Sequence, residues 1–323
     1  MLYVESKSND PYYNLALEEY LFNNCKEECF ILWQNDNTIV VGKYQNTIEE
    51  ISAPYVKEKQ IKVVRRLSGG GAVYHDMGNV NFTFIAPKSE ENTFCFEHFT
   101  QNIIDILAAF DIKADFNSRN DLVIEGKKFS GNSQYVKNGK VLHHGTLLFN
   151  SDLEVLVNAL NVSGLKIESK AIKSIHERVT NIKDYMRTDI SLEEFKGAIK
   201  NHICKKNNAV PYIMTEEEEQ EVRLLRDQKY DTWEWNYGES PKCNITKKGK
   251  ADGGVVQIKL EVENGYIKHA KIFGDFFADE MFASIEQELV GCQYTEEGVQ
   301  SVIEKISQSL VGIDSKWLLE LII

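Results

Sequence analysis

Three things are scarce in this 323-residue chain, and each narrows what it can be. Basic residues are outnumbered: 37 Lys and Arg against 49 Asp and Glu leave a net charge of −12. That is the wrong sign for a general binder of nucleic acid or anionic membranes, although a local basic pocket stays open. Long apolar runs are missing. The C-terminal stretch from Trp317 to Ile323 is too short to span a bilayer and is broken by Glu320, and residues 1–9 carry no apolar stretch of the secretory kind. Cysteine is thinly scattered: of Cys25, Cys29, Cys95, Cys204, Cys243 and Cys292, only the first two are neighbours. An i, i+4 pair without further ligands is a poor zinc site, and isolated thiols suit a cytoplasmic protein. No internal repeat is visible. The length and the 42% hydrophobic content fit one large domain, or a large and a small one.

What is present is concentrated in a few polar segments. Residues 65–76 read Arg-Arg-Leu-Ser-Gly-Gly-Gly-Ala-Val-Tyr-His-Asp, between the β-like run Ile61 to Val64 and an extended stretch at Ala72 to Tyr74. Glycine in strand surroundings forfeits packing and costs backbone entropy, so it marks a bulge or a close approach to the main chain. Arginines before it and a His-Asp pair after it suit an anion held against bare amides. A glycine-rich hairpin loop with surface charges explains the same letters. A Walker loop is excluded because no Gly-Lys-Ser/Thr follows, and a dinucleotide fingerprint because its spacing is absent.

Two further segments carry chemistry. Residues 119–122, Arg-Asn-Asp-Leu, precede Gly126 to Asn132, where lysine stands beside Ser130-Gly131. An amide, a carboxylate and a lysine could hold metal-bound phosphate and neutralise a developing anion; a polar turn between strands is the plainer reading. His143 and His144 are adjacent on a strand and point to opposite faces, so they cannot easily share a metal. One of them facing a pocket competes with a structural histidine. The polar stretch Ser174 to Asn181 suits a loop that closes over a polar ligand.

Periodicity predicts an amphipathic helix at 14–24, with Leu15, Leu17, Leu21 and Phe22 on one side, and a strong helix at 94–110. Strands are expected at 29–33, 38–41, 80–86, 122–124, 128–136 and 140–149, the last two joined by the Asn138-Gly139 turn. Helices follow at 152–160, 191–206 and 215–228, the last opening with a Thr215/Glu218 capping box. Residues 238–241 and the basic 246–250 read as a connector. Beyond it, 254–263 and 266–273 form a hairpin around Asn264-Gly265, and two or three helices finish the chain. The fold class is α+β, or mixed α/β.

Taken in order, these segments resemble the lipoate–protein ligases, closely and over essentially the whole chain. The likeness runs through residues 10–20, 32–35 and 41–46, the R-R-x-S-G-G-G-A-V-x-H-D signature at 65–76, and 78–82. It continues through 119–122, 128–131, 143–148 and 178–181, with the less specific 274–277 in the C-terminal part. The resemblance implies a catalytic domain of the biotin-ligase and class II synthetase type with central mixed sheets at 1–245, and a small α/β accessory domain at 246–323. It implies that ATP and Mg2+ activate lipoate as lipoyl-AMP with release of pyrophosphate. The acyl group then passes to a lysine of an acceptor, a lipoyl domain of a 2-oxoacid dehydrogenase E2 subunit or a glycine-cleavage H protein. No nucleic acid or membrane partner is implied.

Within that resemblance Lys128, chosen over Lys127 for its place before Phe-Ser-Gly, is the catalytic cation. Trp33, Arg65, Arg66, Ser68, Gly70 and Gly71 would meet lipoate or its adenylate, together with Val73, His75, His144 and Gly145. Trp33, Val73 and Val64 would wall the apolar slot. The nucleotide would meet Gly71, Ala72, Val73, Asn79, Asn120 and Asp121, then Lys128, Arg178, Val179 and Thr180, with Asp121 also placed on Mg2+. His176 stands where relatives often carry a basic residue. The related octanoyl and lipoyl transferases use a cysteine that follows the His-Gly strand, and residues 145–203 contain none. That places an ATP-independent transferase second, and a non-catalytic lipoyl-binding protein third.

Overall fold

Short apolar strands alternate with helices, and their pairing places the polar segments named above. The computed structural model describes residues 1–117, 120–160, 178–238, 244–251, 254–274, 281–306 and 314–323. The chain runs β1 (Leu2–Glu5), α1 (Pro11–Asn24), β2 (Cys29–Trp33), β3 (Thr38–Val41), α2 (Thr47–Glu50), α3 (Ala53–Glu58), β4 (Lys62–Arg65), β5 (Val73–His75) and β6 (Asn79–Pro87). There follow α4 (Phe96–Ala108), β7 (Ala114–Asn117), β8 (Asp121–Ile124), β9 (Lys127–Lys137), β10 (Lys140–Leu148) and α5 (Leu153–Ala159). After residue 177 come α6 (Leu192–Asn207), β11 (Val210–Pro211), α7 (Glu216–Leu225) and α8 (Trp233–Asn236). The C-terminal part holds β12 (Ile245–Ala251), β13 (Gly254–Glu263), β14 (Tyr266–Gly274), α9 (Met281–Leu289), α10 (Glu296–Ile306) and α11 (Ser315–Ile322).

Eight strands form a mixed sheet in the order β11-β1-β2-β6-β10-β9-β8-β7, and β4-β3-β5 form a second, smaller sheet. The alternation expected along β6 is present. Val80, Phe82, Phe84 and Ala86 enter a core with Phe99 and Ile103 of α4 and Phe195 and Ile199 of α6. The other face of β6, with Asn79, Asn81 and Thr83, is equally buried, and these polar groups look toward the smaller sheet. The β9–β10 hairpin turns on Asn138 and Gly139, both at positive φ (51° and 72°), the geometry a two-residue turn requires.

Two expectations are corrected, and one alternative reading is removed. Helix α1 begins at Pro11, pre-organised for a first turn, and is buried around most of its circumference, not on one side. The sheet covers one flank, while Val222 of α7 and Tyr230 from a single π-helical turn (Arg226–Tyr230) cover another. The glycine segment is not a hairpin loop: β4 pairs parallel with β3 and β5 pairs antiparallel with its opposite edge, so residues 66–72 cross from one edge of the small sheet to the other. Residues 246–250 are not a connector, because β12 pairs along its whole length with β13. Lys248 and Lys250 alternate outward on that edge strand, where lysine discourages further pairing.

The C-terminal sheet and helices enclose their own core of Ile258, Leu260, Phe282 and Leu318, against which Tyr44 is partly buried. The Gly274 amide donates to the Tyr44 carbonyl at 2.8 Å, and Lys259 and Gln257 both reach Glu49. Residues 275–277 of the family-like C-terminal segment lie outside the described residues, as do Arg119, His176 and the rest of the polar stretch before Arg178.

Candidate active site

A cleft of ≈ 600 Å³, open mouth included, lies between the two sheets. That is within the size range of small-molecule sites. The small-sheet side supplies Val40, Arg66, Gly70 to Val73 and His75. Trp33 and Asn81 come from β2 and β6, and His144, Gly145 and Thr146 from β10. Strand β9 contributes Lys128 and Gly131 to Ser133, with Leu15 of α1 and Asn120 completing the wall.

Strand β10 explains how the large-sheet wall is built. His144, Gly145 and Thr146 face Thr83, Phe82 and Asn81 across β6, and Gly145 faces Asn132 across β9. A Cβ on Gly145 would lie 2.2 Å from Asn132 Oδ1 and 2.6 Å from the Phe82 ring, so only glycine admits that approach. The adjacent histidines separate as strand geometry requires. His143 is stacked among Phe82, Phe96 and Phe99, where burial holds its imidazole well below the ordinary range. His144 faces the cleft, with Nδ1 on Glu18 (3.0 Å) and Nε2 on Ser68 Oγ (2.6 Å).

The two arginines diverge. Arg65 turns away from the cleft: its Nη1 donates to the carbonyls of Gly42, Lys43 and Gln45 at 2.9, 3.0 and 2.7 Å, and Nε donates to Trp235 O at 2.9 Å. Its expected contact with ligand is therefore not available. Arg66 turns inward and lines the cleft, holding the carbonyls of Gly69 and Gly71 with Nη2 (2.5 and 2.9 Å). Burial lowers its guanidinium to about 10, opposed by Glu18, so it is still a cation at neutral pH.

Lys128 lies over Gly131, whose missing side chain leaves room: a Cβ there would be 3.0 Å from Nζ. Its Nζ is 2.7 Å from Asp121 Oδ1, in an ion pair that is partly open to solvent. Lys127 does not line the cleft. The segment 178–180 comes directly to Lys128, whose amide donates to Arg178 O (2.7 Å) and whose carbonyl accepts from Thr180 N (2.9 Å), with Val179 bridged beside it. Asn120 is locked to Asn132 by reciprocal amide-to-carbonyl bonds of 2.7 and 2.9 Å.

Several expected residues stand behind the wall, not in it. Asn79 is fully buried and donates to Asn81 Oδ1 (2.8 Å); Asn81 is the one that lines the cleft. Ser68 acts on His144, and Val64 is buried beside Val40, the residue that faces inward. Leu15, Glu18, Asn132, Ser133 and Thr146 escaped the sequence reading. Leu15 and Glu18 are one turn apart on α1, and a carboxylate on the same side of the helix as Leu15 was the available signal.

Three buried polar atoms of the lining have no partner among the described residues: His75 Nε2, Asn81 Nδ2 and Asn132 Oδ1. Burial beside Arg66 and His144 pushes the His75 imidazole down to about 3, so the ring is neutral. Asn14 donates to Asn35 Oδ1, which leaves the Asn35 amide to donate to His75 Nδ1 at 3.2 Å. Nε2 therefore carries the proton and offers a donor to the cleft. Unsatisfied buried donors and acceptors in a cleft mark where a ligand's polar atoms go. Among the described residues no cluster of three or more His, Cys, Asp or Glu could hold a metal ion, and no helix is long and apolar enough to cross a membrane.

Comparison with known proteins agrees with this geometry. Residues 10–204 match the lipoyl protein ligase A/B catalytic domain, and residues 240–322 match the bacterial lipoate protein ligase C-terminus. The chain is 41% identical over 313 residues to the lipoate-protein ligase LplJ of Bacillus subtilis (strain 168), covering 95% of each. It is 42% identical over 298 residues to lipoate–protein ligase 1 of Staphylococcus aureus (strain Mu50), covering 92% of this chain and 91% of the relative. Among solved structures, P. falciparum LipL1 in complex with lipoate superposes with a TM-score of 0.82 at 26% identity, covering 99% of this chain and 97% of that one. A lipoate-protein ligase A bound with ATP gives 0.64 at 27% identity, over 73% of this chain and 97% of that one. The chain belongs to the lipoate–protein ligase family.

Proposed function

We propose that this protein activates lipoate with ATP and transfers the lipoyl group to a lysine of an acceptor protein. The observation that carries the reading is a single cleft with two chemistries. Leu15, Trp33, Val40 and Val73 give an apolar lining, while Lys128, with Asp121 beside it, stands at the level of Gly131 and Thr146. An acyl chain ending in a carboxylate matches that sequence of surfaces. Relatives solved with lipoate and with ATP support the choice of substrates.

Activation brings a carboxylate against a triphosphate, two anions that repel. Lys128 offsets that repulsion and stabilises charge on the carboxylate and α-phosphate as the new P–O bond forms and pyrophosphate leaves. Arg66 and the open backbone at Gly70 and Gly71 take the adenylate side, with Ala72, Asn120 and the 178–180 strand against the nucleotide. His75 and Asn81 offer donors to the acyl group. In the second step the acceptor amine attacks the acyl carbon, AMP leaves, and the ammonium proton is lost. A single carboxylate beside a phosphate-binding lysine fits Mg2+, which is bound largely by nucleotide oxygens. Asp121 would hold it, and the ion would supply charge neutralisation.

The catalytic unit is assigned to residues 1–245 and the accessory unit to 246–323. The acceptors are assigned as lipoyl domains of 2-oxoacid dehydrogenase E2 subunits or glycine-cleavage H protein, in the cytoplasm. One archaeal relative was solved as a bi-partite lipoate protein ligase with its E2 lipoyl domain, which supports an acceptor of that kind. The test is purified protein with lipoate, MgATP and an apo lipoyl domain, followed by mass spectrometry of the acceptor. ATP-dependent gain of a lipoyl group is expected. Gain only from a lipoylated donor without ATP would indicate a transferase, and no gain under either condition would refute the assignment.

A further inference from the structure

Behind the cleft runs a buried hydrogen-bonded chain that joins its two walls and passes through Glu18. Trp33 Nε1 donates to Thr83 Oγ1 at 2.9 Å, and Thr83 donates to the Glu18 carboxylate. His144 Nδ1 reaches both Glu18 oxygens, at 3.0 and 3.2 Å. His144 Nε2 meets Ser68 Oγ at 2.6 Å, and Ser68 Oγ accepts from Arg66 Nε at 3.1 Å. Arg66 then holds Gly69 and Gly71. Trp33 is on one wall of the cleft and the glycine segment on the other. Glu18 is 1% exposed and does not line the cleft.

The direction of every bond follows from the one carboxylate. It accepts only, so the Thr83 hydroxyl and His144 Nδ1–H must both point at it. In the neutral ring that leaves His144 Nε2 as an acceptor, so the Ser68 hydroxyl donates to it while the Ser68 oxygen accepts from Arg66. Each donor from either wall thus points toward Glu18, and none is left unpaired. The buried Arg66 cation at one end compensates the buried Glu18 anion, which a chain of neutral groups would not do.

We propose that Glu18 is a positioning residue for the acyl-binding half of the reaction: its carboxylate polarises the Trp33–Thr83–Glu18–His144–Ser68–Arg66 chain and thereby fixes the spacing of the two cleft walls. This rests on the lipoate-ligase reading only for the identity of the acyl acid. Glutamine at 18 has nearly the same shape but brings an amide donor to a place where two donors converge. Either Thr83 or His144 must then turn away or reverse from donor to acceptor, and the Nδ1–H tautomer of His144 is no longer imposed by two acceptor oxygens. Lys128 and Asp121 stand outside the chain, and Arg66 at its far end keeps its own bonds to the carbonyls of Val40, Gly69 and Gly71 when Glu18 changes, so the nucleotide side is disturbed less than the acyl side.

The test compares wild type, Glu18→Gln, Ser68→Ala and the double variant. In the ligand-free protein, the 15N resonances of His144 should report Nδ1–H in wild type and a mixed or opposite tautomer in Glu18→Gln. In pyrophosphate-release assays the lipoate KM of Glu18→Gln should rise about tenfold, with the ATP KM changed less than about twofold. Ser68→Ala should give a smaller rise of the same kind. Because both cut one chain, the double variant should be no worse than Glu18→Gln alone. An Nε2–H tautomer in wild type overturns the proposal, as does an unchanged lipoate KM or an equal rise in both KM values. If Glu18→Gln does not fold, a normal lipoate KM in Ser68→Ala overturns it instead. The tautomer is read without substrate, so failure of lipoate activation by the wild type would count against the proposed function and leave this proposal to the resonance data.

Discussion

Replacing Arg65 by lysine separates its architectural role from a ligand contact. Its guanidinium makes six hydrogen bonds, to the carbonyls of Gly42, Lys43, Gln45, Trp235 and Asn236 and to Thr47 Oγ1. An ammonium has three donors and no planar fork, so at least half of these acceptors lose their partner. A buried acceptor left unpaired costs about 1 kcal/mol or more, and since Gly42 O and Asn236 O keep the Gln45 amide and the Thr47 hydroxyl, Arg65→Lys comes to about 2 kcal/mol destabilised. Urea denaturation followed by tryptophan fluorescence should show the midpoint falling by about 0.7 M, for a slope of about 3 kcal/mol/M. Below its transition the variant should keep a lipoate KM within about twofold of wild type. An unchanged midpoint with a raised lipoate KM would refute the reasoning and return Arg65 to the ligand.

Lys128→Ala should abolish pyrophosphate release with lipoate while leaving the melting curve in place, because the side chain is partly open to solvent; normal release would remove Lys128 from the adenylation step. Gly71 has nothing within 4 Å of where its Cβ would be, whereas a Cβ on Gly42 would lie 2.0 Å from Gly70 O. Gly71→Ala should therefore change stability by less than about 0.5 kcal/mol and weaken substrate binding, while Gly42→Ala lowers stability itself; calorimetry and KM measured on both variants check the contrast. Acid should destabilise the protein through His75 and His143, both held below the ordinary imidazole value, His75 from 6.5 to about 3. The unfolded chain then binds more protons below about pH 6.5, so stability is complete above that pH and falls by about 1.4 kcal/mol per pH unit through His75 as the pH drops toward 3, with His143 adding a loss of the same sign. His75→Gln should flatten a stability-against-pH curve by that slope, and parallel curves for the variant and wild type would contradict the linkage.

The order of strands and helices was legible because each segment carried a local signal. Alternation marked β6, the capping box at Thr215 and Glu218 is present on both sides, and Asn-Gly turns marked the two hairpins. Local signal fails where a segment's surroundings decide its state. Residues 246–250 look like a polar connector, since an edge strand shows lysines to solvent and has little apolar alternation. Helix α1 looks one-sided because sequence does not reveal that α7 and the π-helical turn cover its second flank. At the site, glycines, Lys128 and His144 were visible as motifs. The sorting of Arg65 from Arg66 depends on which side chain meets the cleft, and one residue of register reverses it; Asn79 and Asn81 share a face of β6, and only where the cleft lies along the strand separates them.

Residues 42–47 line nothing, yet they determine how the glycine segment is held. Gly42 is packed against Gly70, and Lys43 N donates to Ser68 O at 2.9 Å. Gly42 N donates to Gln45 Oε1 at 2.8 Å, and Arg65 gathers the loop's carbonyls. On its outer side the loop presents Tyr44 to the C-terminal core and to the Gly274 amide. One loop thus has two neighbours with different demands: a backbone contact so close that only glycine fits, and an aromatic anchor in a separate hydrophobic core. A buried arginine suits that position better than an apolar residue, because five main-chain carbonyls and a hydroxyl converge there without strand pairing to satisfy them; the Gln45 amide and the Thr47 hydroxyl also reach Gly42 O and Asn236 O, but the carbonyls of Lys43, Gln45 and Trp235 depend on the guanidinium. The first arginine of the pair therefore serves the cleft by fixing the backbone on which the second one stands.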